Sequence, residues 1–174
     1  MFGPIACRTR FTASVLSRMG ARVHVDAAGE VLKMYGYDLA TLKQGMKVFR
    51  DNTASSVPVT FLYGGGYHTV VIGPASSNTV AKCVAGISDT LATNIYAQAG
   101  KCRVPAIVFA CDTAPELETE APKGMVKVYP RRIDLENTER LKAFDATVVA
   151  ETLIELQAAL ARRRQELAQE LAHG

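Results

Sequence analysis

The sequence predicts an α/β fold: a mostly parallel sheet held between two layers of helices, three layers in all. Three observations predict it. Val70-Val71-Ile72 and Val104-Pro105-Ala106-Ile107-Val108-Phe109-Ala110 are short aliphatic runs of the kind that form strands buried on both faces. Between them, Val80, Val84, Ile87, Leu91 and Ile95 recur at spacings of three and four, the period of a helix. The same alternation of strand and helix patterns repeats along the chain, which is the signature of parallel pairing with crossover helices. A length of 174 residues suits one domain, 1–174, with 151–174 as a C-terminal helix.

Composition excludes several classes of function. Hydrophobic residues make up 48% and charged residues 21%, as in an ordinary soluble protein. A net charge of +3 and 7% aromatic residues leave little for nucleic-acid binding. No apolar run is long enough to span a membrane. Cys7, Cys83, Cys102 and Cys111 have no Cys-x-x-Cys spacing, which argues against zinc or iron–sulfur sites, and His24, His68 and His173 form no ligand pair. No metal site is expected. The lack of a disulfide framework fits a reducing cytoplasm.

In order, the first 25 residues hold Arg8, Arg10, Arg18 and Arg22 with no acidic residue before Asp26. Such starts occur in transit peptides. They read here as an amphipathic first helix with Phe11, Val15 and Met19 on one face. Ala21–Val25 is a short strand containing His24, and Glu30–Tyr35 and Leu39–Phe49 are helices. Asp51–Pro58 reads as a polar loop. Gly64-Gly65-Gly66, flanked by Tyr63 and Tyr67, is the most flexible point; it lacks a phosphate-loop Lys. The strand ending at Ile72 stops at Gly73-Pro74. Beyond the second strand, Glu116–Lys123 reads as a charged loop and Met125–Tyr129 as an alternating strand. Arg131-Arg132-Ile133-Asp134 leads into a short helix ending near Phe144, and Ala146–Val149 forms a last strand. From Glu151 onward, Leu153, Leu156, Leu160, Leu167 and Leu171 share one helix face, interrupted by Arg162-Arg163-Arg164, a solvated charge run by default.

The stretch that bears chemistry is Pro74-Ala75-Ser76-Ser77-Asn78-Thr79, where a strand ends and a helix begins among capping residues. Unpaired backbone N–H groups and the positive end of the helix dipole face that turn, so it can stabilise a phosphate or a polar heterocycle edge. Ligands of open α/β sheets bind at the carboxyl ends of the strands. The stretch resembles the Pro-Ala-Ser-Ala-Asn-Thr signature of the homo-oligomeric flavin-containing cysteine decarboxylase superfamily. Gly86-Ile87-Ser88-Asp89-Thr90-Leu91 is similar to the Gly-Ile-x-Asp-x-Leu that follows it there. The resemblance implies a Rossmann/flavodoxin-like fold and FMN as cofactor, with Pro74, Ala75, Ser76, Ser77, Asn78, Thr79 and Cys111 as cofactor-binding residues.

Two departures bear on which branch. The start, Phe2-Gly3-Pro4-Ile5-Ala6-Cys7, lacks the Gly/Ser-rich loop the superfamily places against the flavin. Where the decarboxylases carry an active-site His ahead of the signature, this chain has Thr60, and Asp112 stands where they have a Pro-x-Met-Asn type segment. Ser77–Cys83, the Asp112 loop and Arg131–Asn137 together look like the archaeoflavoprotein and dihydromethanopterin reductase (acceptor) group. That resemblance implies an FMN-dependent oxidoreductase passing electrons to a dihydropterin. It also implies a separate electron donor, since the cysteines supply no ferredoxin-like cluster. A decarboxylase or flavin prenyltransferase, or a flavin electron carrier without a fixed substrate, is the alternative. Asp112 is the candidate catalytic residue: a carboxylate at the strand end can accept paired N–H donors from a pterin, and its charge opposes reduction of a nearby flavin. The competing reading is a loop Asp that caps the turn before Pro115. Superfamily members resemble trimers, so a trimer-based homo-oligomer is expected, using the Tyr63–Tyr67 segment and the leucine face of the last helix.

Overall fold

The computed structural model describes residues 57–121 and 124–173. The expected first helix, the strand Ala21–Val25, the helices Glu30–Tyr35 and Leu39–Phe49, and the Phe2–Cys7 start lie outside the described residues. In chain order the elements are α1 (Val57–Tyr63), β1 (Val70–Ala75), α2 (Ser77–Ala85), α3 (Leu91–Lys101), β2 (Ala106–Ala110), β3 (Leu117–Ala121), β4 (Gly124–Val128), α4 (Arg132–Lys142), β5 (Thr147–Ala150) and α5 (Leu153–His173).

The aliphatic runs pair as expected. β1, β2 and β5 form a parallel sheet in the order β1-β2-β5, with Val70 opposite Ala106 and Ile107 opposite Val148. Side chains alternate between its faces. Val70, Ile72, Ala106 and Val108 share one core with Val80 of α2, Ile95 of α3 and Leu141 of α4. Val71 and Ile107 are equally buried but belong to the other face, where α5 packs on β2 and β5 through buried Leu156 and Leu160. The result is helix, sheet, helix.

Four local expectations are corrected. First, β1 does not stop at Gly73-Pro74: it runs to Ala75, buried throughout, with a cis Gly73–Pro74 peptide. The register shifts between Ile72 and Ala75, so the irregularity absorbs the missing proline N–H. Space at Gly73 is tight: a Cβ there would sit 3.1 Å from Phe109 Cβ, and Phe109 would have to give way. Second, the pattern Val80 to Ile95 is two helices, not one. Gly86 closes α2 at φ 73°, with Ile87 N–H donating to Lys82 O at 2.9 Å, and Thr90 opens α3 through a capping box with Thr93. Ile87 falls in the break and is 49% exposed, so it is no core residue.

Third, Val57–Tyr63 is a helix where the sequence suggested a loop over its first residues; Val59 and Leu62 on one side of it enter the core. Fourth, the charged stretch after Pro115 is strand β3. Leu117-Glu118-Thr119-Glu120-Ala121 alternates well enough to pair antiparallel with β4, and the two form a ribbon separate from the parallel sheet. Two further details differ. Tyr67 is buried, edge-on to Phe61 with ring centroids 5.9 Å apart, so only Tyr63 of that flanking pair is exposed. Within the arginine run, Arg163 is not a solvated charge. It is 11% exposed and donates from Nε to Thr69 Oγ1 at 3.1 Å and from an Nη to the His68 carbonyl at 3.2 Å, tying α5 to the start of β1.

Candidate functional site

The carboxyl ends of β1 and β2 lie side by side, and the chain leaves each through one of the two stretches singled out in the sequence. Ala75 O accepts from Cys111 N–H at 3.0 Å, closing the pair of strands at this end. Ser76 is the N-cap of α2, extended at φ −67° and ψ 159°; its Oγ accepts from Thr79 N–H at 3.4 Å and lies 3.2 Å from Thr79 Oγ1. Asp112 reaches across: its Oδ2 accepts the Ser77 N–H at 3.1 Å. The geometry thus brings Ser76, Ser77, Thr79, Cys111 and Asp112 together, each half-buried, around the mouth of α2, with Asn78 exposed on its first turn. Pro74 and Ala75 are buried strand residues and offer this crevice no exposed side chain.

The Asp112 carboxylate sits where physics favours an anion, on an unpaired N–H at the positive end of a helix. The cap it forms is on α2, not on the turn before Pro115.

Several neighbouring groups are held fixed. Arg131 N–H and Nε donate to Asp134 Oδ2 at 2.9 and 3.0 Å, and an Nη donates to Oδ1 at 2.8 Å, so the pair is bidentate. The Arg131 hydrogen bonds hold the Asp134 carboxyl below its ordinary range. Asp134, Asn137 and Thr138 are buried on α4, which packs on α2. The sequence marks Arg131–Asp134 as the lead into a helix and Arg131–Asn137 as part of the group resemblance; an acid at the third helical position is the capping signal that gives it a structural role. Cys83, on α2, is buried in the core, where burial pushes its thiol up to about 12, so it is inert near neutral pH. Thr60 stands exposed on α1, and His68 precedes β1 at the opposite end of the strand from the signature turn.

A cleft of about 540 Å³ opens elsewhere, between α3 and the turn from α4 to β5, lined by Tyr96, Lys101, Phe144, Asp145 and Thr147 among others. It lies at the amino ends of β2 and β5, away from the signature turn. No helix among the described residues is long and apolar enough to cross a membrane.

A sequence model of the Flavoprotein family matches residues 6–171. The chain belongs to the Flavoprotein family. Within that family it is 47% identical to DmrB of Burkholderia xenovorans, crystallised in complex with FMN and described as a cubic protein cage for redox transfer. The likeness covers 96% of both chains with a TM-score of 0.82. It is 37% identical over 103 residues to the dihydromethanopterin reductase (acceptor) of Methanosarcina mazei, covering 55% of this chain and 43% of that protein. The matched stretch spans less than half the length of each of the curated relatives it matches. The phenylacrylic acid decarboxylase of Aquifex aeolicus is 17% identical, covers 88% of this chain and 86% of its own, and has a TM-score of 0.57; it shares the fold. This Flavoprotein therefore has the three-layer α/β architecture and the family membership that the signature implied.

Proposed function

We propose that this Flavoprotein is an FMN-dependent oxidoreductase of the dihydromethanopterin reductase (acceptor) type, passing electrons through FMN to a dihydropterin. The observation that carries the reading is the 47% identity, over nearly the whole of both chains, to an FMN-bound redox protein. The curated dihydromethanopterin reductases supply the reaction class.

The residues at the mouth of α2 fit such a cofactor. The exposed Asn78 amide can both donate and accept toward a polar heterocycle edge, and Ser76, Ser77 and Thr79 offer hydroxyls beside it. Ser76, Ser77, Asn78, Thr79 and Cys111 would hold FMN, with Pro74 and Ala75 setting the backbone from which they project. FMN, when bound, supplies the hydride and electron transfer itself. The protein's part is to bind, orient and tune. Asp112, already on the Ser77 N–H, places a negative charge at the crevice and offers its second oxygen to a pterin N–H.

We read the chain as a single flavoprotein domain over 1–174, working in the cytoplasm with a separate electron donor, and as a homo-oligomer built on trimers. Cubic symmetry contains threefold axes, so the description of DmrB as a cubic protein cage supports a trimer base. The decarboxylase alternative is disfavoured by Thr60, whose hydroxyl is no base near neutral pH.

Titration with FMN and, separately, FAD tests the cofactor reading. FMN should bind and FAD should not compete at equal concentration. Asn78→Ala should weaken FMN by about 1–3 kcal/mol if its amide contact is desolvated. No flavin absorbance retained after incubation with excess FMN would defeat the proposal.

A further inference from the structure

We infer that the cleft between α3 and the α4–β5 turn is a binding site for a free α-amino acid with a bulky apolar side chain. Its volume of about 540 Å³ falls within the range of small-molecule sites, about 300–1,000 Å³. It opens at the amino ends of β2 and β5 and shares no residue with the mouth of α2. The charges on its walls select the ligand. Among the described lysines, Lys82 pairs with Asp89, Lys127 with Glu116, and Lys142 with Glu139 and Glu151; Lys101 alone has no carboxylate partner. Among the described aspartates, Asp89 holds Lys82, Asp112 the Ser77 N–H, and Asp134 Arg131; the Asp145 carboxylate alone holds nothing. This unpaired base and this unpaired acid line the same cleft and do not pair with each other. A lone surface charge is ordinary. Two of opposite sign on one cleft with apolar walls match a ligand that carries both signs.

The hydrogen bonds orient that ligand. Thr147 Oγ1 donates to the Asp145 carbonyl at 3.3 Å, so the Tyr96 O–H, 2.9 Å from Thr147 Oγ1, is the donor of that second pair. The Tyr96 oxygen is left as an acceptor. The C-terminus of α4, at Lys142, adds its negative dipole end beside the lining residue Asp145. The ligand ammonium therefore goes to Asp145 and the Tyr96 oxygen, and its carboxylate to Lys101. Val104 and the Phe144 ring, 38% exposed, offer the apolar surface for its side chain. Ala146, next to Asp145, holds a left-handed backbone at φ 53°, a conformation that costs free energy and fixes the shape of this wall.

Calorimetric titration of the purified protein, with FMN added, tests this. The probes are L-phenylalanine and two relatives that lack one charge each, 3-phenylpropionate and phenethylamine. L-Phenylalanine should bind saturably, and each single-charge relative about tenfold more weakly or less well still. Lys101→Gln should weaken L-phenylalanine about tenfold and leave phenethylamine unchanged. Asp145→Asn should weaken it about tenfold and leave 3-phenylpropionate unchanged. Gly100→Leu adds a side chain to the cleft wall at a position where a Cβ meets no atom within 4 Å, and should abolish binding. No saturable heat from L-phenylalanine up to about 10 mM overturns the inference. So does binding that any one of the three variants leaves at wild-type strength, because the ligand then sits elsewhere. Equal affinity for either single-charge relative overturns it too, and this comparison needs only the wild-type protein.

Discussion

Asp112 is the residue where structure and proposed chemistry meet, and its replacement separates them. In the structure its Oδ2 accepts the Ser77 N–H at 3.1 Å, on the first turn of α2. A hydrogen bond to a charged acceptor contributes about 1.5–3 kcal/mol, and Asp112 is half-buried, which places it at the lower end. Asp112→Ala removes acceptor and charge together and should cost about 1.5 kcal/mol, or about 3–6 °C in Tm for a chain of this size. Asp112→Asn keeps an oxygen within reach and loses only the charge-to-dipole part, about 0.3–1 kcal/mol, or about 1–3 °C. Thermal unfolding followed by far-UV dichroism, without added flavin, reads both. The proposed function adds a second expectation for the same Asn variant: a higher flavin potential and slower pterin turnover, with FMN affinity within a few fold of wild type. Equal Tm for Asn, Ala and wild type would refute the capping argument. An Asn variant with wild-type potential and turnover would leave Asp112 a helix cap and nothing more.

Three further outcomes follow from the packing. Gly73→Ala should destabilise by about 1–3 kcal/mol in denaturant titration, because its Cβ would meet Phe109 Cβ at 3.1 Å inside the sheet; an unchanged midpoint would mean that Phe109 shifts freely. Leu160→Ala, at a side chain with no exposure between α5 and the sheet, should cost about 2–5 kcal/mol, and a loss below about 1 kcal/mol would show that α5 does not seal that face. His68 titrates at about 4, held neutral first by burial and then by charges that include Arg163. An unfolded His at 6.5 binds its proton before the folded one does. This part of the stability is therefore whole above about pH 6.5 and is lost as pH falls toward 4. His68→Gln should flatten that window of a stability-against-pH curve, and an identical curve would discharge His68 from the acid sensitivity.

The parallel sheet and its flanking helices were legible because β-branched runs and helix-spaced residues are read by period alone. The site end was legible for the same reason: a capping run directly after a strand has few other uses. The split of α2 from α3 was missed although both of its signals, Gly86 and Thr90, are in the sequence. The apolar spacing runs on across the break and masked them. β3 is hidden in the sequence because Glu118 and Glu120 read as loop chemistry; in the ribbon Glu118 is exposed and stands opposite Lys127. The arginine run reads as solvated charge, since nothing local in the sequence marks the contact of Arg163 to Thr69, 94 residues distant. The Asp112–Ser77 bond is also long-range, but strand order alone places the two loops side by side.

The central claim is a flavin that delivers electrons to a dihydropterin, and one anaerobic mixing experiment addresses it directly. The FMN-loaded protein is reduced, freed of excess reductant and mixed with a dihydropterin, while the visible flavin band and the pterin products are followed together. The account predicts that the flavin reoxidises as the dihydropterin is added and that one tetrahydropterin forms for each flavin. Reduced flavin that persists in dihydropterin, yet reoxidises at once when a generic acceptor is supplied, would contradict it.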